Sequence, residues 1–169
     1  MKILPIICLL FFQLSYTQKL EQPAEKQSFW TTIWGESPKN GFKFLPFATH
    51  FQKSKNPIIH GAFYTAVNYK SWELSAFNNS YNDFSMSLFY LRKIKITEKF
   101  SIDYGGGFLY GYKGRLQKVD AIPFNNTFLY SGNLNPTYGI GLEYSLSKKI
   151  SISAMTNPAV IIYGIKYYW

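Results

Sequence analysis

The sequence predicts an all-β protein, an eight-stranded antiparallel transmembrane β-barrel with a short N-terminal amphipathic helix. Three observations carry this. At the C-terminal end, Ile161, Tyr163, Ile165, Tyr167 and Trp169 make every odd position large and apolar, so one face of the last strand is a greasy stripe. Such a stripe aggregates in water, whereas a closed barrel in a bilayer needs an outward apolar band and leaves no sheet edge open. No stretch beyond the N-terminus approaches the roughly 18 uninterrupted apolar residues of a membrane helix, so insertion has to use strands. Eight period-two runs between turn signals supply them.

Met1 and Lys2 are a short basic start, and residues 3–14 form an apolar run of signal-peptide length. Ser15, Tyr16 and Thr17 place small residues at the outer positions of a cleavage site, so residues 1–17 read as a secretion signal. Cys8, the only cysteine, lies inside it. The mature chain is therefore expected to lack a thiol, a disulfide or a thiolate metal site. Ile6 and Ile7 before Cys8 do not fit a lipoprotein site.

Residues 18–40 form a leader. Within 28–36, Trp30, Ile33 and Trp34 fall at i, i+3 and i+4, which gives a helix one apolar face suited to the inner membrane interface. The whole chain, 169 residues, has room for one domain. Aromatics at 20% against charged residues at 16% fit a barrel wall, in which alternation hides hydrophobicity from window averages. A formal charge of +9 would suit nucleic acid. The secretion signal points it instead at an anionic membrane surface, and no nucleic-acid partner is expected.

The barrel is assigned to 41–169, with strands over 42–51, 59–68, 71–78, 84–94, 100–112, 136–145, 150–155 and 160–168. Tight turns at 69–70, 95–99 and 146–149 alternate with longer connections, the longest over 113–135. Long loops of such barrels face outward, which puts the loops around 53–57, 79–83, 113–135 and 156–159 on the extracellular side. An aromatic terminal residue resembles the outer-membrane barrels of Gram-negative bacteria and implies that location.

Parity then sorts the interior. Ser101, Asp103, Gly105, Gly107 and Leu109 oppose Ile102, Tyr104, Phe108 and Tyr110, and Gly139, Gly141 and Glu143 oppose Tyr138, Ile140 and Leu142. Glu73, Lys93, Asp103, Glu143 and Lys166 are expected inside, at the periplasmic halves of their strands, as a salt-bridged floor. Above it the inward positions include Phe77, Ser87, Phe89, Leu91, Leu109, Ser153, Met155 and Ile162, none charged. That lining suits a hydrocarbon slot. The alternative is a filled interior, since eight strands enclose a lumen just wide enough for packed side chains.

Both histidines, His50 and His60, fall at the extracellular rim, where a membrane enzyme meets headgroups, although a strand histidine is more often a packing residue. The segment 77–83 gathers amides, a hydroxyl and a carboxylate at the same rim, a pattern that also makes ordinary turns. Gly105, Gly106 and Gly107 have no helix after them and are not a phosphate loop; they admit a close approach to the backbone. Outer-loop cations Lys53, Lys55, Lys113, Arg115 and Lys118 are matched by others at the far end, such as Lys70, Lys95 and Lys149.

Taken in order, the leading helix, Leu45-Pro46-Phe47-Ala48-Thr49-His50, Phe77-Asn78-Asn79-Ser80-Tyr81, Ile122-Pro123 and Met155-Thr156-Asn157-Pro158 resemble the blocks of the PagP-type lipid A palmitoyltransferases. The resemblance implies transfer of a fatty acyl chain from a phospholipid donor to lipid A of lipopolysaccharide, with no metal and no cofactor. It implies His50 as general base, Ser80 assisting at the ester carbonyl, and Asn79 orienting the imidazole. Phe77, Phe89, Leu91 and Leu109 would line the acyl pocket, and Pro46, Pro123 and Pro158 would open lateral gates. A monomer is expected.

This chain departs from that pattern in three places. Asn79 stands where the family has Asp, and Asp83 is the nearby carboxylate able to substitute. The Pro46-to-His50 spacing is one residue shorter. Leu91 stands where the family has a small residue at the pocket bottom, which implies a shorter donor chain. The rival readings are a catalytically silent lipid-binding barrel and a small structural or adhesion barrel with a filled interior.

Overall fold

The computed structural model describes residues 29–51 and 61–169. The expected signal at 1–17, with Cys8, and Lys53, Lys55 and His60 lie outside the described residues. The strands are β1 (Gly41–His50), β2 (Gly61–Tyr69), β3 (Trp72–Asn78), β4 (Phe84–Lys95), β5 (Phe100–Tyr110), β6 (Leu134–Ser145), β7 (Ile150–Thr156) and β8 (Val160–Tyr168). Each pairs antiparallel with its sequence neighbour, and β1 pairs with β8, so the eight strands close into a barrel. A short helix, α1 (Phe29–Trp34), precedes them. Among the described residues no helix is long and apolar enough to cross a membrane.

Alternation decides what faces where. Leu74, Leu88, Phe108, Leu142, Ile152, Tyr163 and Ile165 point outward and are exposed, while Ser75, Ser87, Leu109, Glu143, Ser153 and Lys166 point inward and are buried. The wall is therefore apolar outside and mixed inside. This inverts the usual arrangement of a water-soluble sheet.

The floor of the interior holds the expected charges and one more, Lys43. Lys43 meets Glu73 at 2.6 Å, and Tyr64 donates its hydroxyl to the same carboxylate at 2.7 Å. A separate quartet joins Lys93 to Glu143 at 2.9 Å and to Asp103 at 3.3 Å, with Lys166 3.5 Å from Glu143 and 3.9 Å from Asp103. Pair and quartet are each electrically neutral, which is what allows six buried ionised groups to share a narrow lumen.

At this end the leader is strapped to the outside of the wall. Glu36 exchanges backbone hydrogen bonds with Lys93 at 2.7 and 2.8 Å, adding a bridge to the part of β4 that runs past the start of β3. Arg92 donates to the carbonyls of Trp34 and Gly35 at 3.0 and 2.7 Å, and its guanidinium lies 5.6 Å from the Trp34 ring. The helix ends at Trp34, two residues before the 36 expected, and its Trp30, Ile33 and Trp34 are exposed.

Strand limits shift modestly from expectation. β5 stops at Tyr110 because Gly111 turns the chain at φ 113, and β6 begins two residues early, at Leu134, which pairs with Tyr110. The long loop between them carries two 3-10 turns, Arg115–Lys118 and Phe128–Tyr130, and a small core of its own.

Candidate active site

β1 reaches the mouth of the barrel with one irregularity. Regular alternation from Lys43 and Leu45, both buried, would send His50 outward with Phe42 and Phe44. Instead β8 pairs Phe44 with Ile165 and Phe47 with Tyr163, so β1 carries one extra residue at Pro46. Proline has no N–H to lose from the ladder and is at home in such a bulge. The extra residue resets the alternation: Phe47 is exposed, Ala48 is buried, and His50 arrives over the interior. Opposite the bulge, a Cβ on Gly164 would run into the Phe44 carbonyl and the Leu45 backbone, so the inward position at 164 has to be glycine. On the other side, β2 absorbs a matching irregularity beside Phe63, whose φ is 44.

The β3–β4 turn supplies the partner. Asn79 is buried, and its Oδ1 accepts from the backbone N–H of Tyr81 at 2.9 Å and of Asp83 at 3.1 Å. Its Nδ2 donates to Ser85 Oγ at 3.0 Å and to the Gly111 carbonyl at 3.4 Å. The carboxamide is thus spent on fixing the turn. Ser80, the next residue, is held against the imidazole: Ser80 Oγ and His50 Nε2 are 2.6 Å apart, with the donor set by the histidine tautomer.

Asp83 is placed elsewhere in the turn. It pairs with Arg115 at 2.7 Å and Lys113 at 3.3 Å, which ties the turn to the long loop. The Arg115 guanidinium lies 4.8 Å from the Tyr81 ring, and Tyr81 meets Tyr112 edge-on at 6.3 Å. Tyr112 also lines the cavity, and desolvation, with Tyr81 beside it, pushes its hydroxyl well above the usual phenol range. It is a neutral phenol at the mouth. Strand parity alone would have turned it outward with Tyr110; the bend at Gly111 is what brings it in.

Below His50 and Ser80 lies a cavity of about 80 Å³, walled by Phe77, Phe89, Leu109, Met155 and Ile162. At about 10–15 Å³ per water-sized group on this measure, it admits a handful of methylene-sized groups. Three of the four expected pocket residues, Phe77, Phe89 and Leu109, line it. Leu91 sits one layer lower, two residues from Phe89 and two from Lys93, buried with its Cδ2 over Gly105. It separates the cavity from the floor, and its own side chain fills the space that Gly105 leaves.

The prolines are distributed unevenly. Pro46 occupies the bulge in the wall and Pro158 the turn between β7 and β8, but Pro123 lies in the long loop and is no part of the wall. The residue that sequence reasoning missed is Pro136. β5 pairs β6 from Leu134 onward, whereas β7 pairs it only from Ile140, so residues 134–139 have no strand partner on that side among the described residues. Pro136 sits in this stretch, and Thr137, Met155 and Asn157 carry the cavity lining up to it. A proline within the first turns of β6 was the available signal.

No family model, no curated protein and no solved structure matches the chain.

Proposed function

We propose that the chain is an outer-membrane acyltransferase that moves a fatty acyl chain from a phospholipid to lipid A of lipopolysaccharide. The observation that carries the reading is the 2.6 Å contact between His50 and Ser80 at the mouth of an apolar cavity. The exposed apolar wall suits hydrocarbon, and the neutral ionic floor suits a barrel that holds a chain rather than conducts ions.

In this reading the donor's acyl chain enters through the unpaired stretch of β6 and lies against Phe77, Phe89 and Leu109. An acceptor hydroxyl of lipid A displaces Ser80 from His50 Nε2. His50 takes its proton, the oxygen attacks the ester carbonyl, and the freed Ser80 hydroxyl donates to the developing oxyanion. Collapse expels the lysophospholipid oxygen, which recovers the proton from His50. Leu91, as the lid of the floor, limits how deep the chain can go, which favours a short donor.

A second reading, a catalytically silent lipid-binding barrel, is favoured by one observation: the carboxamide of Asn79 is consumed by the turn and the carboxylate of Asp83 by Arg115 and Lys113. A structural or adhesion barrel with a filled interior fits the cavity poorly.

The test is a mass-spectrometric lipid A profile from a lipopolysaccharide-making host expressing the protein, beside a host expressing His50→Ala. A new acylated species with the unaltered chain and none with the variant is expected. A species that survives the substitution removes His50 from the mechanism, and no species from either favours the silent barrel.

A further inference from the structure

The loop between β5 and β6 is tightly built. Leu116 and Tyr130 are buried against Leu109, with Phe77, Tyr112, Val119 and Ile122 around them. Asn135 donates to the carbonyls of Leu129 and Gly132 at 3.1 and 3.3 Å, Gln117 to that of Thr127 at 3.2 Å, and Asn125 to that of Val119 at 3.1 Å. A loop so fastened holds its tip in one place.

That tip presents bare aromatics. Phe124 and Phe128 are 79% and 83% exposed, more than any other large apolar side chain among the described residues, and Leu129 is exposed beside them. Phe124 sits at φ 59, a backbone conformation that bulky residues rarely hold. It is kept there by Thr127, whose N–H and hydroxyl both donate to the Phe124 carbonyl at 3.1 and 2.8 Å. These two bonds retain the strained backbone and so fix where the exposed ring points.

Two further features say what covers the tip. The exposed pair Leu134 and Tyr110, where β6 and β5 meet the loop, continue the outward apolar face of the wall up to it. The same loop carries Lys113, Arg115 and Lys118 against a single carboxylate of its own, Asp120; Asp83 of the neighbouring turn pairs with Lys113 and Arg115, so Lys118 is the loop cation left outside that cluster. Apolar side chains flanked by cations, contiguous with a lipid-facing wall, match an anionic headgroup layer.

We propose that the tip of this loop rests in the anionic headgroup layer of the leaflet around the barrel mouth, with Phe124 and Phe128 below the phosphates and Lys118 against them. This rests on the membrane placement argued above and not on acyl transfer. It makes the loop a fixed float that holds the His50–Ser80 mouth at headgroup height, where an ester and a sugar hydroxyl meet.

The test places a fluorescent thiol label on Phe128→Cys, and separately on Ile152→Cys in the outer wall, both in a Cys8→Ser background. The full barrel is refolded into vesicles of phosphatidylcholine with phosphatidylglycerol. Both labels are expected to lose most of their emission to a quencher attached near the lipid headgroup or shallow chain, and to resist aqueous iodide. In phosphatidylcholine alone, the label at 128 is expected to become several-fold more sensitive to iodide.

A label at 128 quenched by iodide while the one at 152 senses lipid overturns the inference and leaves the membrane barrel standing. Iodide quenching of both overturns the membrane placement as well. Equal behaviour at 128 in the two lipid mixtures removes the cation from the proposal.

Discussion

The two halves of the barrel interior solve opposite problems. At the floor, three cations and three carboxylates pack into a space with almost no solvent, each neutralised by a partner within 4 Å. At the mouth, the His50 imidazole and the Ser80 hydroxyl meet at 2.6 Å above a largely apolar cavity, with the Tyr112 phenol beside them. The floor pairs every charge and leaves no room, while the mouth leaves room and carries uncharged polar groups. The proposed chemistry on a lipid ester would use the second arrangement, and a narrow barrel keeps its shape by means of the first.

The contrast breaks most readily at the floor. Lys166→Met leaves Glu143 and Asp103 sharing Lys93, and removing one partner of a buried ionic cluster typically costs about 3–5 kcal/mol. The urea midpoint of the refolded barrel, read by gel mobility, is expected to fall accordingly. Adding Glu143→Met restores neutrality, with Lys93 and Asp103 still paired, and is expected to recover most of the loss. If the double variant is as unstable as the single one, packing rather than charge balance holds the floor.

The boundary between the halves is the next place to press. Leu91→Gly removes the layer between cavity and floor, and under the proposed acyl transfer it is expected to lengthen the chain moved, seen as heavier lipid A species by mass spectrometry. It also costs stability, on the order of the 2–5 kcal/mol of a buried Leu truncation. An unchanged chain length in a folded variant means that Leu91 does not set the depth.

How much of this was legible in the sequence follows from the same division. Floor residues on β3 to β6 and β8 were readable because a strand's side chains alternate without exception unless a bulge intervenes. Lys43 was missed because its strand is the one that contains the bulge, and a broken alternation yields no parity. The meeting of His50 with Ser80, 30 residues apart, follows from no local rule; only the resemblance of the surrounding blocks suggested it. The bonds of Asn79 divide in a related way. An Asn in a turn shows its short-range bonds to Tyr81 and Asp83 in the sequence, but not the long-range ones to Ser85 and Gly111 that commit its other end. The long loop read as a bare excursion because its core is made by residues scattered over 109–130.

A smaller effect is expected outside the wall. Arg92→Ala removes two hydrogen bonds to the carbonyls of Trp34 and Gly35 and a ring contact, all partly solvated, for about 1–2 kcal/mol. It should loosen α1 and leave the cavity unaffected, so proteolysis before residue 41 is expected to speed up while any lipid A product stays unchanged. A loss of product would mean that the strap and the mouth are coupled through the barrel.

The smallest effect is expected from the change that looks most severe, deletion of Pro46. In the bulged strand Leu45 faces in, Pro46 is the extra residue, and Phe47 faces out, so excising Pro46 leaves a regular alternation in which Ala48 and His50 still face in. The register with β8 closes without a gap, since Ile165 to Tyr163 already spans two residues opposite three, while the offset toward β2, where Tyr64 to Gly61 spans three residues opposite two, widens by one and falls to the irregularity already beside Phe63. A folded deletion variant is therefore expected to keep the His50-dependent product. Substituting Pro46→Ala, which retains the extra residue, should do the same. If deletion abolishes the product in a barrel that still closes, the bulge positions His50 by its shape as well as by its count, and the mouth depends on a local backbone distortion that the floor residues, which lie below it, do without.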